Sequence, residues 1–349
     1  MTNVWLEGFE LFQSIAAMQD IYTNTTFDAG VTFPAGRNGV GICIKAGPTN
    51  STFRTPGLAA HASWYQGFAI NATNPEDGSK ILQILDGSNE QLALVVNDVS
   101  GGYTISVKRG AATIQTSTAT LVDGQWYYVE LGATINTSTG SVELKINQST
   151  AAGFVAITGI NTANAGTNTA DRMALGLDAQ AAGTTSVYLD DWYINNGAGS
   201  VNNTYWGDTI LVPIYPDTDG DSSQWTPSTG SDHSDLVDEP TEADDDTTYV
   251  ETASDGDVDL FEYTNLSVVS SDIFSVMIHT EAKLLAAGSR NIRAVHTHTD
   301  TTVSNGTTVA VNDTAYKSYR QVWELNPATG LEWTAADIDG AQIGFETVP

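Results

Sequence analysis

The sequence predicts an all-β protein made of two jelly-roll-like β-sandwiches in tandem, and three observations carry that expectation. Segments such as Gly140-Ser-Val-Glu-Leu-Lys-Ile-Asn147 alternate with period two. Val142, Leu144 and Ile146 fall on one side and Glu143, Lys145 and Asn147 on the other, as a strand with one buried face requires. Gly, Thr, Ser, Asn and Asp are abundant, with 32 glycines, while long Leu/Glu/Lys-rich helical runs are missing; strands joined by many turns have this composition. Turn signals such as Asp86-Gly87, Ser100-Gly101-Gly102 and Arg109-Gly110 separate the apolar runs at short intervals. With 349 residues, 41% of them hydrophobic, the chain has room for two buried cores.

The first domain is predicted over residues 1–199. It opens with a strand at 4–11, followed by a short helical or irregular piece at 14–22. Strands follow at 39–45, 63–70, 80–86, 91–97, 103–109 and 112–118, and then in Gly124-Gln-Trp-Tyr-Tyr-Val-Glu-Leu131, Gly140–Asn147 and Ser186-Val-Tyr-Leu-Asp-Asp-Trp-Tyr-Ile194. This spacing fits a sandwich of antiparallel sheets, and residues 195–203 read as a linker. The second domain is predicted over 205–349. A strand at 208–215 precedes an acidic loop region, and further strands follow at 257–263, 272–283, 291–299, 316–325 and 342–348. Pro327 sits in a turn, and Thr334-Ala-Ala-Asp337 is placed to cap one helical turn.

Charge narrows the function classes. The chain carries 42 acids against 13 bases, a net charge of -29. No Lys/Arg cluster is present to displace counterions from nucleic acid, and anionic membranes are disfavoured for the same reason. The acidity is concentrated: residues 1–200 hold 16 acids and 8 bases, and the remainder holds 26 and 5. Cys43 is the sole cysteine, so no intrachain disulfide forms. No apolar stretch approaches the ~18 residues of a membrane span, and Met1-Thr-Asn-Val-Trp5 lacks the basic start of a signal peptide. Assembly in a cytoplasm is expected.

Catalytic constellations are not evident. A glycosidase needs two carboxylates held across the scissile bond, and the Glu-x-Asp-x-x-Glu strand of laminarinase-like enzymes does not occur. Asp190 and Asp191 are adjacent on a strand and are expected to face opposite sides. No nucleophile elbow or phosphate-binding glycine loop is present, and Cys43 lies in an apolar strand as a small buried hydrophobe. The expectation is that the chain is not an enzyme. For a metal, Asp217, Asp219 and Asp221 alternate beside Gly220, a pattern that suits calcium, although Ser222 and Ser228 stand where an EF-hand places Gly and Glu. A solvated acidic turn is the competing explanation. Asp244, Asp245 and Asp246 form a second acidic knot. His296, His298 and Asp300 alternate, so that one face of a strand can present all three to a transition metal or to water. Trp64, Tyr65, Trp126, Tyr127, Tyr128, Trp192 and Tyr193 offer a stacking platform for sugar, though at strand periodicity about half of them must face the core.

The Trp126, Val142–Ile146 and Asp190–Ile194 strands together resemble the laminin-G/concanavalin-A-like jelly roll. In the second half, Gly207-Asp-Thr-Ile-Leu-Val-Pro-Ile-Tyr-Pro216, Asp217-Thr-Asp-Gly-Asp-Ser-Ser-Gln-Trp-Thr-Pro227, Asp238-Glu-Pro-Thr-Glu-Ala-Asp-Asp-Asp-Thr-Thr-Tyr-Val250, Trp323-Glu-Leu-Asn-Pro-Ala-Thr-Gly330 and Glu332-Trp-Thr-Ala-Ala-Asp337 resemble a family of tailed-bacteriophage virion structural proteins, as does the opening Trp5-Leu-Glu-Gly-Phe-Glu10. The resemblance implies a virion protein assembled in the host cytoplasm, a head/neck or tail appendage such as a capsid decoration or fibre-like protein. Its partners would be other capsid or tail proteins and further copies of itself in a symmetric homo-oligomer such as a trimer. The resemblance brings no catalytic residues. The alternative is a glycan-binding adhesion or receptor-binding module of the phage tail, with a surface glycan as partner.

Overall fold

The computed structural model describes residues 3–27, 30–39, 43–46, 50–178, 186–240, 243–266, 272–297 and 303–349. It divides into two compact units, Met1–Leu211 and Val212–Pro349, and the expected all-β class is what it shows. No helix among the described residues is long and apolar enough to cross a membrane.

In the first unit the strands are β1 (Asn3–Glu7), β2 (Thr23–Thr26), β3 (Ile44–Ala46), β4 (Ser51–Arg54), β5 (Ser63–Thr73), β6 (Lys80–Asp86), β7 (Asn89–Val99) and β8 (Gly102–Arg109). They continue with β9 (Ala112–Thr116), β10 (Leu121–Val122), β11 (Trp126–Thr134), β12 (Gly140–Ile146), β13 (Ser149–Thr150), β14 (Ile157–Ile160), β15 (Arg172–Asp178) and β16 (Ser186–Asn195). One helix, α1 (Ile15–Ile21), starts where the Ser14 side chain accepts the Ala17 N–H at 3.1 Å, a normal N-cap.

Two eight-stranded sheets face each other. The first runs β1-β16-β5-β11-β12-β13, with β3 on β16 and β14 on β12; the second runs β10-β8-β7-β6-β15-β4-β2, with β9 on β8. Alternation decides what lies between them. Val129, Leu131 and Ala133 of β11 enter the core with Phe68 and Ile70 of β5 and Leu82, Leu94, Ile105 and Leu175 of the opposite sheet. Each such fully buried large side chain stabilises the sandwich by roughly 1.5–3 kcal/mol. Tyr128 and Glu130, one residue out of phase, lie on the outer face. There the chain after β16 does not leave as a linker but returns over the first sheet. Trp206 stacks on Tyr193 with ring centroids 4.6 Å apart, and Tyr205 meets Tyr65 edge-on at 5.1 Å. Gly67 makes room for this, because a Cβ there would stand 2.5 Å from the Tyr193 ring and 2.8 Å from that of Tyr128.

The second unit holds β17 (Pro216–Ser223), β18 (Thr226–Pro227), β19 (Val250–Glu251), β20 (Val258–Tyr263), β21 (Val276–Ala282), β22 (Arg290–Thr297), β23 (Val303–Asn305), β24 (Val309–Val311), β25 (Lys317–Trp323) and β26 (Gln342–Val348). A six-stranded sheet runs β17-β20-β26-β22-β23 with β24 on β22, and the pairs β18-β19 and β21-β25 form separate ribbons. Trp323 and Trp333 pack with Ile338, Ala341 and Ile343, against half-buried Val276 and Ile278 of the β21 ribbon. The predicted helical turn is α2 (Ala335–Asp339), closed by a reciprocal Thr334–Asp337 capping box. One expectation is displaced: residues 208–215 form no strand, and the acidic segment expected to be loop is β17 instead.

Candidate functional site

The structure sorts the aromatic residues by burial. Trp64, Tyr128, Trp192 and Tyr193 are fully buried, whereas Tyr65, Trp126 and Tyr127 are half-exposed. Trp126 belongs to a row set by strand register across four neighbouring strands. Lys45 of β3 pairs with Tyr188 of β16, Tyr188 with Asn71 of β5, and Asn71 with Trp126 of β11. Directly opposed residues share a face, and their neighbours Ile44, Leu189, Ile70 and Ala72 point into the core. The row therefore lies on the outer face of the first sheet, and all four of its residues are half-exposed.

The rings of Trp126 and Tyr188 lean together over Asn71, with centroids 6.5 Å apart and planes 63° to each other. The Lys45 ammonium stands 5.7 Å from the centre of the Tyr188 ring, within cation–π range. Asn71 donates to the Gly124 carbonyl at 3.1 Å, which fixes its amide. The result is two rigid π-faces with an amide between them and an ammonium at one end. An apolar face studded with a few polar groups suits ligands that are themselves amphipathic. Tyr188 is absent from the aromatic set expected from sequence; its place beside Trp126 depends on pairing through β5, which no local pattern reveals.

Further along the same face lies a buried ionic cluster. The β16–β5 pairing shifts register between Asp190 and Tyr193, and Asp191 adopts φ 52. This bulge overturns the expected opposite facing of Asp190 and Asp191. Asp190 accepts the Arg37 backbone N–H at 2.7 Å, and Asp191 accepts Arg37 Nε at 2.9 Å. Arg37 also reaches Asp208 at 2.5 Å and lies over the Tyr128 ring, 5.3 Å from its centroid. Asp191 takes the Leu211 N–H at 2.8 Å, and Gly207 donates to Glu130 at 2.8 Å, so these carboxylates fasten residues 205–211 to the sheet. Burial pushes both Asp190 and Asp191 above the usual carboxylate range, and for Asp190 the neighbouring Asp191 adds to the effect. Glu10 is pushed up to about 9, chiefly by burial. The cluster is a structural fastener that ties residues 205–211 to the outer face of the first sheet.

The residues expected to bind metal are dispersed. Asp217 and Asp221 are exposed on β17. The Asp219 carboxylate accepts the His233 and Ser234 N–H groups at 2.9 and 2.7 Å and caps the 3-10 turn Ser234–Leu236. Among the described residues no three His, Cys, Asp or Glu side chains are grouped to hold a metal ion. His298 and Asp300 lie outside the described residues, while His296 is buried edge-on against Trp323 and Trp333. Cys43 is buried, with its thiol on the Ala35 carbonyl at 3.4 Å. A separate cleft of about 600 Å³, lined by Gln13, Ser14, Ile15, Val31, Thr32 and Phe33, carries no ionisable side chain.

No protein-family profile matches the chain, and no curated protein matches it. Solved structures do. The alginate lyase Aly36B is 10% identical, with a TM-score of 0.38, over 54% of this chain and 95% of its own. The cellulose-induced protein Cip1 is 17% identical, with a TM-score of 0.35, over 51% and 88%. Lectin II from Ulex europaeus is 13% identical, with a TM-score of 0.34, over 55% and 98%. These are sandwich folds found in carbohydrate-binding and carbohydrate-active proteins. Alginate lyases stand among them, so the expectation that the chain is not an enzyme is withdrawn. At these identities the likeness is one of fold and assigns no reaction.

Proposed function

We propose that the first unit is a glycan-recognition module. The observation that carries this is the Lys45–Tyr188–Asn71–Trp126 row, in which two inclined aromatic faces flank a fixed amide on an open strip of sheet. The C–H face of a pyranose packs on such rings, its hydroxyls are within the repertoire of an amide and an ammonium, and the sheet holds the groups rigid before binding. The experiment is a glycan array probed with the wild-type chain and with Tyr188→Ala. Wild-type binding that Tyr188→Ala loses supports the proposal, and an array blank for the wild type overturns it.

The setting we infer for this module is the bacteriophage particle, as a head/neck or tail appendage held by other virion proteins. The support is the sequence resemblance of the second half, in particular the Pro216–Pro227 and Trp323–Asp337 segments. A cryo-EM map of purified particles tests it. Density that fits the two units would support the setting, and particles lacking the chain would exclude it.

A further inference from the structure

The outer face of the second sheet carries a different chemistry. Its register aligns Thr23, Arg54, Ala174, Gln83, Ala93 and Lys108 in one row across β2, β4, β15, β6, β7 and β8. The flanking Phe53, Leu175, Leu82, Leu92, Leu94 and Val107 face the core, so the row points outward. Arg54, Gln83 and Lys108 are half-exposed, while Ala174 and Ala93 are 3% and 1% exposed. The short alanines form a floor between taller polar side chains. Four strand spacings of ~4.8 Å set Arg54 and Lys108 roughly 19 Å apart.

Charge on this face runs against that of the whole chain. Lys80 is paired with Glu90 at 2.8 Å, and Arg172 with Asp171 at 3.1 Å. The Arg54 side chain has neither an ion pair nor a hydrogen bond among the described residues, and its Nε is buried with no partner. Burial and the nearby Arg172 guanidinium both disfavour its charge. A protein with 42 acids thus leaves a half-buried guanidinium without a counterion. Such a group is open to an anion that completes it, and its planar fork matches a carboxylate in two-pronged fashion.

We propose that this face binds an acidic, carboxylate-bearing polysaccharide, with Arg54 as carboxylate receptor and Gln83 and Lys108 contacting the same chain further along the row. The extended row fits a linear polymer better than a compact anion, and its two cations, Arg54 and Lys108, spaced far apart, match charges that recur along a sugar chain. The site lies on the opposite sheet from the Trp126 strip, so each can fail without the other.

The test is calorimetric titration of the full chain with oligo-uronates in 150 mM salt, with a neutral glucan and duplex DNA as comparators. Wild-type protein should bind the oligo-uronate, and Arg54→Met should weaken that binding at least tenfold while Trp126→Ala leaves it unchanged. Because Arg54→Met keeps the apolar stem and removes an unpartnered charge, its melting temperature should equal or exceed that of the wild type, which separates lost binding from lost folding. Equal binding of oligo-uronate by wild type and Arg54→Met, no wild-type binding, or equal affinity for DNA would overturn the proposal. So would a change in oligomeric state in Arg54→Met without a change in uronate affinity.

Discussion

Trp126 and Tyr188 sit two strands apart in the first sheet, yet their rings meet over Asn71 with centroids 6.5 Å apart. β-pairing places both residues opposite the same asparagine and leaves the two rings on the outer, half-exposed face. Residues that stabilised the sandwich alone would be expected inward, where Trp64 and Trp192 are.

That difference gives the first prediction. Trp126→Ala should lower the stability of the first unit by less than about 1 kcal/mol, since its face is only partly withdrawn from water. Trp192→Ala empties a fully buried site and should cost about 3–5 kcal/mol. Urea denaturation of both variants checks this; equal losses would place Trp126 in the core's service.

Arg37 is the sole cation bonded to Asp191 among the described residues, and its side chain is 7% exposed. Arg37→Met should destabilise the first unit by about 3–5 kcal/mol, because buried carboxylates lose their partner. Replacing Asp191 with Asn together with Arg37→Met should restore part of that loss. A double-mutant cycle by chemical denaturation measures the coupling.

Glu10 carries a pH signature. Its folded pKa is raised to about 9, so the folded state binds the proton more tightly than the unfolded state, and stability must fall as pH rises. The loss begins near the ordinary carboxylate range and is complete above about pH 9. Glu10→Gln, which cannot ionise, should make the fall in melting temperature of the first unit between pH 5 and 9 shallower, leaving the part that Asp190 and Asp191 contribute. A Glu10→Gln profile as steep as that of the wild type would refute this origin.

The second unit should respond in the opposite sense. His279 is lowered to about 3 by burial and by Arg320, and its Nε2 lies 2.6 Å from the Ser318 hydroxyl. A base with a depressed folded pKa contributes stability above about pH 6.5 that is lost as pH falls towards 3. His279→Gln should reduce the acid sensitivity of the second unit's melting transition, measured by calorimetry over that range.

Much of the fold was legible because alternation is local. The predicted strands at 80–86 and 342–348 match β6 and β26, and Thr334 and Asp337 marked their helical turn. What was missed depends on partners distant in sequence. The Asp191 bulge turns two adjacent carboxylates onto Arg37, 153 residues away from Asp190, and no period-two pattern encodes a bulge. The strand at Pro216–Ser223 holds three Asp, a Gly and a Pro, all poor strand formers, and is held by pairing with β20. The aromatic strip was half legible: Trp126 stood out as an aromatic, while Tyr188 joined it through a register that the sequence does not display.

The central claim is that the Trp126–Tyr188 strip is where a glycan binds. The most direct measurement is NMR titration of isotope-labelled protein with the glycan selected on the array, following the Trp126 indole N–H and the Asn71 side-chain amide. The account predicts that these two signals shift most, saturate together and fail to move in Tyr188→Ala. Saturating shifts confined to the Gln13–Phe33 cleft or to the second unit, with Trp126 and Asn71 unmoved, would contradict it.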